Sequence, residues 1–165
     1  MPAPAMFIDQ IRIHAIAGSG GNGCSSFRRE KFVPLGGPDG GDGGDGGSII
    51  LRADPQIDTL VSLYYEPIVR AKSGANGMGK QKYGRAAPDK IVPVPVGTLV
   101  YRLPDVAPHD PLKFVEEEKQ PPRRRKVEAK DLELLVDLDQ PEAEFLLGQG
   151  GRGGRGNIHF KSSRN

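Results

Sequence analysis

PLGGPDGGDGGDGGSIIL, residues 34–51, carries eight glycines in the twelve positions from Gly36 to Gly47 and then changes abruptly into an apolar run. A flexible spacer, a calcium loop and a rigid element that only glycine can build all share this composition. Spacing separates them. From Asp39 to Gly47 the triplet DGG is repeated three times, and from Gly150 to Arg155 the triplet GGR is repeated twice. A period of three belongs to neither an α-helix nor a strand. It is the period of polyproline II, which has no internal hydrogen bonds and points its backbone groups outward all round. Segments of that kind hydrogen-bond to one another side by side, and glycine at two of every three positions removes the Cβ atoms that would hold them apart.

Collagen needs Gly-X-Y over long stretches and three chains, and these repeats are too short for it. A calcium-binding nonapeptide array needs GGxGxD followed by an apolar anchor. Here Gly47 falls at the anchor position, and the frame from Gly43 puts Ser48 where an aspartate is required. A spacer remains the bland alternative, because ordering each clustered glycine costs about 1 to 2 kcal/mol, and a lateral amide hydrogen bond returns only about 1 kcal/mol. Order therefore needs apolar anchors, and candidates stand at the cluster edges: Phe27, Phe32, Val33, Leu35, Ile49, Ile50, Leu51, Ile158 and Phe160. The two triplet runs also carry opposite charge, Asp39, Asp42 and Asp45 against Arg152 and Arg155, which places them side by side in one bundle.

With the fourth cluster taken as 148–156, glycine clusters at 18–23 and 74–84 complete the set, leaving only Gly97 apart. Between clusters lie short runs with strand character: MFIDQIRIHAIA, SIILRA, TLVSLYY, IVPVPVGTLVY, LELLVDL and EFLLG. Pro93 and Pro95 each remove an amide donor, so IVPVPV fits a sheet edge or an extended segment. The fold class is all-β with glycine-rich excursions, in a single domain. Residues 1–5 read as an unstructured start, and 103–130, with five prolines, the acids Glu116–Glu118 and the basic run Arg123–Lys126, as a flexible charged insert.

Net charge is only +2, but residues 105–144 hold 12 acidic and 7 basic side chains, leaving 16 basic and 9 acidic elsewhere. A basic body therefore carries an acidic appendage. A single cysteine, Cys24, excludes a disulfide within the chain and fits a small packed side chain. MPAPAM lacks the regions of a signal peptide, and no apolar run approaches the roughly 20 residues of a membrane helix. A cytoplasmic protein is expected.

GANGMGKQ, residues 74–81, mimics a phosphate loop but puts Gln81 where a Ser or Thr must meet magnesium, with no helix-forming sequence behind it. His14, His109 and His159 are scattered without metal-ligand spacing. No catalytic residue and no metal site is expected. Instead, three basic segments each adjoin a glycine cluster: FRREK; Arg70–Lys90, which contains Tyr83; and the acid-free tail from Gly148, which includes Lys161 and Arg164. Cations interleaved with an aromatic ring suit phosphates and bases, so a shared basic end that binds nucleic acid is expected.

FIDQ, FRREKFVPLGGPDGGDGGDGGSI, GMGKQKYGRAAPD, VPVGTLV and GGRGGRGNIHF, in this order, resemble the N-terminal domain of the Obg family of GTPases, over about Met6–Asn165 apart from the insert. The resemblance implies a small β-barrel or sandwich base carrying six glycine-rich polyproline II helices, the Obg fold. It implies a role in assembly of the large ribosomal subunit, with loops at the domain tip reaching ribosomal RNA near the peptidyl transferase centre. Mapped by motif, the RNA-binding candidates are Arg28, Arg29, Lys31, Lys80, Lys82, Arg85, Arg152 and Arg155. The structural glycines are Gly36, Gly37, Gly40, Gly41, Gly43, Gly44, Gly46, Gly47, Gly150, Gly151, Gly153 and Gly154. GTP and Mg²⁺ are assigned to the family's GTPase domain, expected beyond Asn165, and no cofactor or turnover to this stretch. The alternative function is a protein-interaction module that binds a regulatory protein through the bundle or the insert.

Overall fold

The structure, a computed structural model, describes residues 8–29, 31, 36–103 and 132–160. Residues 1–5, the insert beyond Leu103, the anchors Phe32, Val33 and Leu35, and His109, Lys161 and Arg164 lie outside the described residues. The described chain is mostly strand and extended backbone: β1 (His14–Ile16), β2 (Ile49–Asp54), β3 (Ile68–Arg70), β4 (Lys90–Pro95), β5 (Thr98–Arg102), β6 (Glu133–Leu138) and β7 (Glu144–Gly148). Helical structure among the described residues is confined to α1 (Val61–Tyr65) and a 3₁₀ turn, Asn157–Phe160.

Among the described residues, three small sheets form the base. β1 pairs parallel with β3, β5 pairs antiparallel with β6, and β2 lies between β4 and β7, parallel to the first and antiparallel to the second. SIILRA alternates as expected of a strand with one face on a core: Ile49, Leu51 and Ala53 are buried. They pack with Leu63, Val69, Ala71, Val92, Val94 and Leu138. IVPVPV takes the edge of the three-stranded sheet, with Pro93 opposite Arg52 and Pro95 opposite Asp54. Its prolines have no outer strand to donate to among the described residues. Arg52 on β2 holds Glu144 on β7, with Nε donating to Oε1 at 2.7 Å.

One strand expectation is corrected. TLVSLYY is helical over Val61–Tyr65, with Leu63 buried and Leu60 packed against the same core. Residues three apart share a helix face, which a strand would not give them. Pro67 limits the helix: Glu66, just before it, has φ −122° and ψ 70°, outside the helical region. Of MFIDQIRIHAIA only His14–Ile16 pairs as a strand, while Ile11 and Ile13 pack on the core.

Among the described residues, five extended segments rise from this base, each continuous with a strand. Residues 18–28 follow β1, 37–48 lead into β2, 72–78 follow β3, 81–90 lead into β4, and 150–158 follow β7. Their backbone bonds recur every three residues. Gly18, Gly21 and Cys24 donate to Gly47, Gly44 and Gly41; Gly84 and Ala87 donate to Asp42 and Asp45; Gly43 and Gly46 donate to Gly154 and Gly151. The DGG segment is central, bonded to all four others. Sheet register continues into it, since the Ile49–Gly148 pairing of β2 with β7 extends in step to Gly46–Gly151 and Gly43–Gly154.

Close approach explains the glycines. A Cβ on Gly43 would lie 2.0 Å from the Gly21 carbonyl oxygen, one on Gly44 2.2 Å from that of Arg85, and one on Gly153 2.0 Å from that of Gly43. Backbone conformation does not explain them: among the described glycines only Gly97, at the β4–β5 turn, has a left-handed φ, 82°. Gly37 differs from its neighbours, because a Cβ there would meet nothing within 4 Å.

This contrast gives a stability test. Gly43→Ala and Gly44→Ala force backbone apart and are expected to cost at least about 1 to 3 kcal/mol, whereas Gly37→Ala stays within about 0.5 kcal/mol of the parent. Urea midpoints of the three variants check the difference.

Candidate nucleic-acid interface

The aspartates of DGG do not rely on arginine for partners. The Asp42 carboxylate accepts from the Gly156 amide at 2.6 Å, the Asp45 carboxylate from the Gly153 amide at 2.7 Å, and the Ser48 hydroxyl from the Gly150 amide at 3.2 Å. Every third side chain of one segment thus meets every third amide of its antiparallel neighbour. The opposite-charge runs do lie together as expected, but the shortest contacts are carboxylate to amide.

His159 adds a contact that the sequence alone does not expose. Its Nε2–H donates to both Asp42 carboxylate oxygens at 2.8 Å. The Gly156 amide, then the His159 hydrogen bond, then the charges of His159 and Arg155 hold the Asp42 carboxyl below the usual carboxylate range. His159 is placed there by the 3₁₀ turn that ends the GGR segment, so finding it requires the pairing register of residues 39–48 with 150–156.

The bundle's distal end is closed by a polar lock. Asp39, 8% exposed, donates its amide to the Ser26 carbonyl at 2.9 Å and accepts the Ser26 hydroxyl at 2.6 Å. Asn157 accepts the Gly40 amide through Oδ1 at 2.7 Å and donates Nδ2 to the Ser26 carbonyl at 2.8 Å. Beside this lock Met78 and Lys82 pair across a hairpin, and Phe27 bridges to Pro38.

The eight candidate cations divide between two places. Arg28, Arg29 and Lys31 follow Phe27 at the distal end, where the Arg28 amide donates to the Gly37 carbonyl, and Lys80 and Lys82 stand on the adjoining hairpin. Arg85, Arg152 and Arg155 sit nearer the base: the Arg85 and Arg155 carbonyls lie against Gly44 and Gly23, and the Arg152 carbonyl against Gly20. Arg152 and Arg155 face an open groove of about 570 Å³ with Asp42, Asp45, Tyr83 and His159. A single shared basic tip therefore becomes a distal cluster and a lateral one.

Two expected anchors do not anchor. Phe27 is 62% exposed and Phe160 74% exposed, and Met78 at the hairpin is 63% exposed. Ile49 and Leu51 supply the burial instead, through the strand that continues the DGG run. Exposed rings beside cations are a surface property that position in the sequence does not reveal.

A glycine-spaced bundle stands on a small β base, with cations at its far end and along its side. The GTP1/OBG family model matches residues 8–117 and 119–165, and the chain belongs to that family, as an Obg-type N-terminal domain. The residues that resemble a phosphate loop do not form one. GANGMGKQ runs as an extended segment into a hairpin turn, and no helix follows it before β4 to hold phosphate at its N-terminus. No helix among the described residues is long and apolar enough to cross a membrane.

Asp42 gives a pH test. A carboxyl with a lowered folded-state pKa contributes stability in full above the unfolded value and loses it as pH falls through the folded one. Wild type is therefore expected to lose more stability than Asp42→Asn as pH falls below about 4. Urea midpoints measured from pH 6 down to 2 check this, and parallel curves contradict the role given to Asp42.

Proposed function

We propose that this domain docks the distal end of its bundle on ribosomal RNA of the large subunit and acts in assembly of that subunit. The observation that supports it is the company kept at that end: Lys80 and Lys82, without ion pairs among the described residues, beside Arg28, Arg29, Lys31 and the exposed Phe27 and Met78. Cations supply affinity for phosphates, and exposed rings accept unpaired bases. The five extended segments are polyproline II helices in this reading, as their three-residue bonding period suggests. Their rigidity lowers the entropic cost of docking. The domain works in the cytoplasm, performs no turnover itself, and leaves GTP hydrolysis with Mg²⁺ to the family's GTPase domain.

The exposed Phe27, Met78 and Phe160 favour a second reading, in which the same end holds a regulatory protein. Salt separates the two. Docking through the five distal cations weakens by about 10² to 10³ between 50 and 200 mM salt, while a mainly apolar protein interface changes little. Binding of large ribosomal subunits by the chain, followed against salt, is expected to show the steep dependence. Joint replacement of Lys80 and Lys82 by Glu is expected to reduce binding at least about tenfold and to flatten the salt slope by about 1 to 2. Equal binding by that variant removes the distal end from the site, and charge reversal at Arg152 and Arg155 tests the lateral groove in the same assay.

A further inference from the structure

Lys80 and Gln81 occupy the tip of the Met78–Lys82 hairpin with φ of 60° and 57°. That left-handed region is disfavoured for side-chain-bearing residues and is the ordinary place of glycine or asparagine. Gly79 stands next in sequence, and its own φ is not left-handed. Two long polar side chains therefore sit where a shorter residue would be less strained, and strain of this kind persists where surrounding structure over-determines it, commonly at functional positions.

The restraint is visible. Asp39 accepts the Gln81 amide through its main-chain carbonyl at 2.7 Å and the Lys80 amide through Oδ2 at 3.3 Å. Oδ1 is held by the Ser26 hydroxyl at 2.6 Å, and the whole residue is buried. Both strained amides are thus fastened to one residue of the central DGG segment. The Lys80 and Gln81 side chains are exposed and make no hydrogen bond among the described residues.

We propose that the Lys80–Gln81 turn is a paired RNA contact, in which Lys80 meets a phosphate and the Gln81 carboxamide bonds the edge of an unpaired base, with Asp39 as the positioning residue. The inference rests on the RNA reading above and adds a base-contacting residue to it. A primary amide carries two donors and one acceptor, and Gln matches the adjacent donor and acceptor of adenine. Unpaired bases in single-stranded RNA expose such edges, and the neighbouring Phe27 ring offers a stacking surface.

Glycine replacement separates contact from scaffold because its effects on stability and binding have opposite signs. In the 165-residue chain, Lys80→Gly and Gln81→Gly are each expected to raise the melting temperature by about 2 to 4 °C. Each is also expected to weaken binding to large ribosomal subunits at least about fivefold. With single-stranded oligo(A) and oligo(C) as probes, Gln81→Gly removes any preference for A and leaves the salt slope unchanged, while Lys80→Gly lowers the slope by about 0.7. Asp39→Ala removes the carboxylate oxygen that accepts the Lys80 N–H and keeps the main-chain carbonyl that accepts the Gln81 N–H; in that background Lys80→Gly has a smaller further effect on binding than in wild type. Glycine variants that bind both subunits and oligonucleotides as wild type does overturn the inference. If joint replacement of Lys80 and Lys82 by Glu abolishes binding while Gln81→Gly is silent, the RNA reading stands and this inference falls. If the joint variant also binds normally, or wild type binds neither probe, both fall.

Discussion

The structure depends on carbonyl oxygens occupying the places where Cβ atoms would be. At Gly18, Gly40, Gly46 and Gly150 a built Cβ lies 1.8 to 2.0 Å from a neighbouring backbone oxygen, a separation no side chain tolerates. This exclusion lets the central DGG segment bond to four neighbours, where a strand in a flat sheet has two. Glycine is ordinarily costly to order, yet here each removed side chain permits a lateral contact that a longer residue would forbid. The non-glycine position of the triplet reaches sideways: Asp42, Asp45 and, after the last triplet, Ser48 accept amides that no carbonyl meets.

Burial at the base and hydrogen bonding in the bundle are one mechanical system. Each extended segment is the continuation of a strand, so Ile49, Leu51, Val92 and Val94, packed in the base, fix the register of the glycines beyond them. Register is set strongly wherever one face of a strand is buried, because a one-residue slip turns its apolar side chains outward. The bundle, which holds none of the buried apolar core among the described residues, thereby inherits a single alignment from the sheets below.

Much of this was legible in the sequence for physical reasons. The DGG and GGR periods implied lateral packing, SIILRA implied a strand, and the prolines of IVPVPV implied an edge or an extended segment. What stayed hidden depended on pairing direction. Residues 150–158 run antiparallel to the DGG segment and parallel to residues 18–28, and no local pattern announces that choice. It decides that Arg152 and Arg155 lie along the side rather than at the end, and that His159 reaches Asp42. TLVSLYY was misread because a run of β-branched and aromatic residues scores as a strand, whereas Leu60 and Leu63 needed a helical spacing to reach the same core.

Glycine and side chains are distributed against the usual conformational rule. Among the described bundle glycines φ is never left-handed, so conformation alone would accept alanine there. At the hairpin tip, where the backbone is left-handed, the sequence places lysine and glutamine instead. Space determines the first choice; it does not determine the second, because both tip side chains are exposed. A rigid scaffold makes that second choice affordable, since Asp39 holds the turn from a segment that cannot shift without moving four neighbours. Strain at the tip and glycine in the shaft are therefore complementary: the shaft excludes side chains to become stiff, and its stiffness maintains two side chains in a conformation they would not adopt alone.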